Sequence, residues 1–139
     1  MTVQEVFDMA IHLMDEQNES TGATSTEDTQ EYKFRTISIL NTAIPALYKY
    51  SGSYNPNQES FGLLLLQDNF RNPNFSQDIP LDEWLCASLL PLYLAAQLLA
   101  AENDALSAWF FTRYQQTFAD IRGKTPREFE PISTPYGLF

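Results

Sequence analysis

Residues 84–101, WLCASLLPLYLAAQLLAA, carry no charge over 18 positions, and the reading of this stretch decides the fold. Eighteen apolar residues are about the shortest run that crosses a bilayer. Ser88, Pro91 and Gln97 interrupt this one, and its flanks are acidic, with Asp82 and Glu83 before it and Glu102 and Asp104 after. The Lys/Arg bias that orients membrane helices is missing from both sides. The stretch therefore reads as a helix buried in a non-membrane domain. Because it is apolar nearly all round, other elements must cover it on several sides. Pro80 suits the first helical position, and Asp82 and Glu83 suit the first turn, where the helix dipole favours acids. The helix is expected over about 80–102 with a kink at Pro91. Leu89, Leu92 and Leu99 are expected at the centre of the core.

The same periodicity continues outward. Asn103 reads as the N-cap of a helix over 104–122, in which Phe111, Tyr114, Phe118 and Ile121 repeat at spacings of 3, 4 and 3. Leu106, Trp109 and Phe110 widen that face, and Gly123 fits a C-terminal cap. Upstream, Ile37, Leu40, Ile44 and Leu47 repeat the spacing within a helix over 27–49. Thr26 is its expected cap, Glu27 and Asp28 its first turn, and Pro45 must kink or end it. At the N-terminus, residues 2–16 are amphipathic. Thr2 and Glu5 have the spacing of a capping box. Val3, Val6, Phe7, Ala10, Ile11 and Met14 share one stripe, with Glu5, Asp8, His12, Asp15 and Glu16 opposite.

Two segments resist this pattern. Residues 51–79 are turn-rich (SGSYNPNQES, RNPNFSQD) around Phe61 and the apolar run Leu63, Leu64, Leu65 and Leu66. A short strand or an extended arm fits this run better than a helix. The tail over 124–139, KTPREFEPISTPYGLF, holds three prolines, so it cannot continue the last helix, yet it keeps Phe129, Ile132, Tyr136, Leu138 and Phe139. The expected fold is all-α: a single four-helix bundle-like domain over 1–123, with an irregular middle segment and an extended C-terminal tail.

Composition bounds the function. The 139 residues are 44% apolar and 14% aromatic, ample for a core. Net charge is −10, which argues against a DNA-gripping surface, since phosphate contacts need clustered Lys and Arg. The acidity is concentrated. Residues 1–31 hold eight acids and no Lys or Arg, while the remainder is close to balanced. That segment reads either as a solvated acidic face or as an anionic surface within an assembly. No basic n-region of a secretory signal is visible.

The residues that carry chemistry are sparse. With one His and one Cys, disulfide scaffolds and Cys-based zinc sites are excluded. Asp8, His12 and Glu16 share a helix face by their i, i+4 spacing, but that face is the solvent side, and a polar surface is the better reading than a metal site. Cys86 sits in the apolar helix and reads as a buried, inert thiol. There is no nucleophile elbow, phosphate-binding loop or dinucleotide fingerprint. Trp109, Phe110, Phe111 and Tyr114 could form a stacking platform for bases, but core packing explains them better. No catalytic residue, metal or cofactor is expected.

Leu89–Gln116, LLPLYLAAQLLAAENDALSAWFFTRYQQ, resembles the C-terminal half of small head–tail connector (adaptor) proteins of tailed phages and prophages. In those proteins an apolar LP-x-x-LAA-x-LL helix, an acidic EN turn and an A-x-x-F-x-x-RY helix recur. The opening VFDMAIHLMDEQNESTG, with EYKFRTISILN, also resembles small virion proteins from prophage head-assembly clusters. Together these segments cover roughly half of the chain. The resemblance implies a non-enzymatic, ring-forming helical protein of the virion, present in the host cytoplasm during assembly. Its partners would be its own copies, the portal protein and tail-side connector proteins, with no specific nucleic acid and no membrane. The alternative is another small helical interaction protein, either a different virion component or a cytoplasmic adaptor. Leu63, Leu64, Leu65, Leu66, Phe129, Tyr136 and Phe139 are the candidate interface residues, because a four-helix domain has little room for them. They either fold back on their own bundle or dock on a neighbour.

Overall fold

The computed structural model describes residues 1–52, 65–69 and 72–124. These residues form four helices: α1 (Val3–Met14), α2 (Gln30–Leu47), α3 (Glu83–Leu99) and α4 (Asp104–Lys124). A short 3-10 turn, Tyr48–Tyr50, extends α2. Among the described residues there is no strand, only an isolated antiparallel bridge between Thr2 and Asp78. The fold is all-α, a packed helical bundle.

Helix α3 lies at its centre. Leu85, Cys86, Leu89, Leu90, Leu94 and Leu98 are fully buried, because α1, α2 and α4 all pack against this one helix. That arrangement accounts for a sequence apolar nearly all round. Cross-links show how the helices run. Tyr32 meets Glu102, Thr42 meets Tyr93, and Ser51 meets Asp82, so α2 runs antiparallel to α3. Ser107 donates to the Ala96 carbonyl at 2.7 Å, Tyr114 packs on Tyr93, and Phe118 on Tyr50, so α4 also runs antiparallel to α3. None of the described helices is long and apolar enough to cross a membrane.

Helix α1 buries the six residues of its expected stripe, and Thr2 and Glu5 form the capping box. Its other free N–H groups are met from the irregular segment. Val3 N–H donates to the Gln77 carbonyl at 3.0 Å, and Gln4 N–H to the Phe75 carbonyl at 2.9 Å. Phe75 also stacks edge-on against Phe7, with centroids 5.2 Å apart. The end of the irregular segment thus completes a helix terminus, with Ile79 and Leu81 buried beneath it.

Several expected boundaries shift, each for a visible reason. Helix α2 starts at Gln30, not near residue 27. Thr29 Oγ1 donates to the Thr24 carbonyl at 2.6 Å and accepts from Thr26 N–H at 2.9 Å. This closes a turn that contains Glu27 and Asp28, so Thr26 is not the cap. Helix α3 starts at Glu83, and Pro80 lies before it. Asp82 N–H is held by Ser51 Oγ, and the Asp82 carboxylate accepts from Gly52 N–H at 2.6 Å, which keeps the chain extended up to that point. A Cβ on Gly52 would lie 3.0 Å from that carboxylate, a tight contact that the Asp82 side chain would have to relieve by shifting. Gly123 is not a left-handed cap, since α4 continues through it to Lys124. Pro45 and Pro91 both sit inside their helices, and α2 gives way to the 3-10 turn soon after Pro45.

The core also differs in detail. Leu89 and Leu99 are buried as expected, but Leu92 is only half-buried. On α4 the buried aromatics are Phe110 and Tyr114, while Phe111 turns outward. The Ser107 hydrogen bond to α3 fixes that rotation.

Candidate functional site

The described surface offers contact area rather than chemistry. Its clearest feature is an open groove of about 360 Å³ between α1 and α3, lined by Met9, His12 and Leu13 on one side and Ala87, Ser88, Pro91 and Leu92 on the other. Met9 is 37% exposed, Leu13 46% and Trp84, on the same helix as the second wall, 53%. The groove exists because α1 turns only one stripe onto α3. Met9 and Leu13, four residues apart, sit beside that stripe and stay uncovered. Sequence reasoning placed this side of α1 in water on the strength of its acids, and missed the pair. The i, i+4 spacing of Met9 and Leu13 among charged residues was the available signal.

A second apolar patch lies at the other flank. Asn103, Ala105, Leu106 and Trp109 line a shallow depression of about 440 Å³ where α4 begins. Asn103 caps α4 there, accepting from Leu106 N–H at 3.1 Å. Trp109 is 53% exposed, and its ring carries the Arg113 guanidinium 5.0 Å above it. The expected core role therefore holds for Phe110 and Tyr114 and fails for Trp109 and Phe111.

The expected interface residues divide. Leu65 is exposed at 43%, whereas Leu66 is buried in the core. Asn41 on α2 fixes Leu66 through both backbone groups, accepting from its N–H at 2.8 Å and donating to its carbonyl at 3.0 Å. Leu66 is therefore not available to a neighbour, because its own helix already pairs it. Leu63, Leu64, Phe129, Tyr136 and Phe139 lie outside the described residues.

Of the polar groups considered for chemistry, Asp8 is engaged structurally, while His12 stays exposed at the groove. Asp8 accepts from Gln4 Nε2 at 2.7 Å and from Thr24 Oγ1 at 2.6 Å, which pins the polar loop after α1 to that helix. Among the described residues, no three His, Cys, Asp or Glu side chains come together as a metal site. Cys86 is fully buried, and burial pushes its thiol up to about 11, partly opposed by the nearby N-terminal amine. A thiol so displaced is not a ready nucleophile at neutral pH. No protein-family model matches this chain, and no similar curated protein or solved structure was found.

Proposed function

We propose that this chain is a structural subunit of a head–tail connector ring, joining portal to tail in a tailed phage or prophage. The resemblance of Leu89–Gln116 to connector proteins suggests the reading. The observation that carries it is the exposure of large apolar side chains on both flanks of α3, with Met9, Leu13 and Trp84 on one side and Trp109, beside Ala105 and Leu106, on the other. A domain with its own filled core has no internal need for these groups, and contiguous exposed apolar patches mark interfaces. A ring subunit needs two such surfaces, one for each neighbour or layer. The acid-rich segment 1–31, with eight acids and no Lys or Arg, suits a channel that DNA passes without sticking.

In this reading the protein acts through its contacts, without catalysis or a cofactor. It functions in the virion after assembly in the host cytoplasm, bound to its own copies, to the portal and to tail-side connector proteins. The test is to mix the purified chain with the portal protein of the phage or prophage that encodes it and image the mixture by negative-stain electron microscopy. A ring stacked coaxially on the portal is expected. Portal rings without added density would rule the assignment out.

A further inference from the structure

We propose that the groove between α1 and α3 is the acceptor for residues 131–139 of a second copy of this chain. The inference rests on the assembly reading for the presence of that second copy, and on nothing in it about portal or tail.

The groove sets the chemistry of its occupant. Its walls are mostly apolar, Met9, Leu13, Ala87, Pro91 and Leu92 with His12 and Ser88 among them, so the occupant must be largely apolar with room for a polar group. Its volume, about 360 Å³, is near the lower end of the roughly 300–1,000 Å³ typical of clefts that bury a ligand, a size suited to a few side chains. Its rim is acidic. At about 100° per residue, Glu5 falls about 40° from Met9 on the α1 surface. Two copies meeting α1 to α1 would therefore bring like charges together, with no Lys or Arg in residues 1–31 to offset them. The occupant must be a different, uncharged segment.

One segment of the chain answers this description. Residues 131–139, PISTPYGLF, carry no charged side chain and four large apolar ones: Ile132, Tyr136, Leu138 and Phe139. Their two prolines restrict the backbone, so less entropy is lost when the segment is bound extended. The other apolar run, Leu63–Leu66, is tied to its own domain at Leu66 by Asn41.

The path of the chain favours a neighbour's groove. Helix α4 descends α3 towards the end where Tyr50 and Asp82 lie, with Phe118 packed on Tyr50 at 5.4 Å. The groove lies on the α1 side, back towards the middle of α3. Helices α1 and α4 each pack on α3 but scarcely on one another, so the chain leaves α4 on a different face of α3 from the groove. Fifteen residues beyond Lys124 reach up to about 50 Å, enough to meet an adjacent copy.

The test uses two differently tagged full-length chains, one with Leu13→Cys and the other with Leu138→Cys, mixed under mild oxidation. Native Cys86 is fully buried and stays out of the reaction. The expected product is a mixed-tag disulfide dimer, in excess over same-tag pairs. In parallel, the full-length double variant Tyr136→Asp, Leu138→Asp should keep the parent's far-UV helical signal and fall to single-chain mass in light scattering. Three results would overturn the inference: no mixed-tag product; a chain carrying both cysteines that closes on itself at high dilution; or a helical double variant that keeps the parent's oligomeric mass. Mixed-tag cross-linking without portal binding would support the inference and count against the connector reading alone.

Discussion

Tyr32 donates a 2.6 Å hydrogen bond to Glu102, joining the first turn of α2 to the turn between α3 and α4 across 70 positions of sequence. Arg35 reinforces the junction. It pairs with Glu31 at 2.8 Å and donates to the Leu98 carbonyl at 3.4 Å. The ring of Tyr32 is buried while Glu102 is exposed, so the bond anchors a core aromatic to a surface carboxylate. Tyr32→Phe keeps the ring and removes the bond. Because Glu102 returns to water, the expected loss is about 0.5–1.5 kcal/mol in urea melts. No change in midpoint would show that the junction is held by packing alone.

Alkaline pH should destabilise the domain. Burial raises Cys86 from 9.0 to about 11 and Tyr114 from 10.0 to about 12. Tyr32 is also raised, first by burial and then by its bond to Glu102. In each case the folded state holds a proton that the unfolded chain releases sooner. The stability from these groups is therefore full below about pH 9 and falls as pH rises, with Cys86 contributing first. Thermal melts between pH 8 and 11 should show a falling midpoint, with a shallower initial fall in Cys86→Ala. A midpoint that rose across this window would contradict the assignment.

Leu89 and Leu92 are three residues apart on α3, and truncating them should not cost the same. Leu89 is fully enclosed, so Leu89→Ala should lose about 2–5 kcal/mol in denaturant melts. Leu92 lines the open groove, so the cavity left by Leu92→Ala is open to water and the loss should be smaller. Equal losses would mean that the groove is closed in solution.

Asn41 holds Leu66 by two hydrogen bonds, an amide side chain standing where a neighbouring strand would otherwise pair. Asn41→Ala leaves both Leu66 backbone groups without that partner and should cost about 1–3 kcal/mol. Backbone hydrogen exchange at Leu66 is the direct check, and protection unchanged in the variant would refute the account. Because Leu66 is a core residue, Leu66→Ser should destabilise the domain itself.

The helices were legible in the sequence because their apolar spacing is dictated by what they bury. The α1 stripe of Val3, Val6, Phe7, Ala10, Ile11 and Met14 is read directly from the 3.6 period, as is Ile37–Leu40–Ile44–Leu47 on α2. The uncharged run of α3 implied cover on several sides, and three helices supply it. Boundaries were less legible, since they depend on distant partners. Ser51 delays the start of α3, and Thr24 and Thr26 engage Thr29 ahead of α2. The groove was hidden for a related reason. Periodicity shows which face of α1 is apolar, but not how much of Met9 and Leu13 the neighbouring helix leaves uncovered. On α4, apolar residues flank the seam on both sides, so pattern alone could not choose between Phe110 and Phe111 as the buried ring.

The central claim is that this chain works by assembling. The most direct measurement is light scattering of the purified full-length protein across a range of concentrations, coupled to negative-stain imaging. The account predicts a closed ring of many copies, formed by the chain alone or on adding the portal protein of the same phage or prophage. A protein that keeps single-chain mass at every concentration, and leaves the portal's mass unchanged, would contradict it.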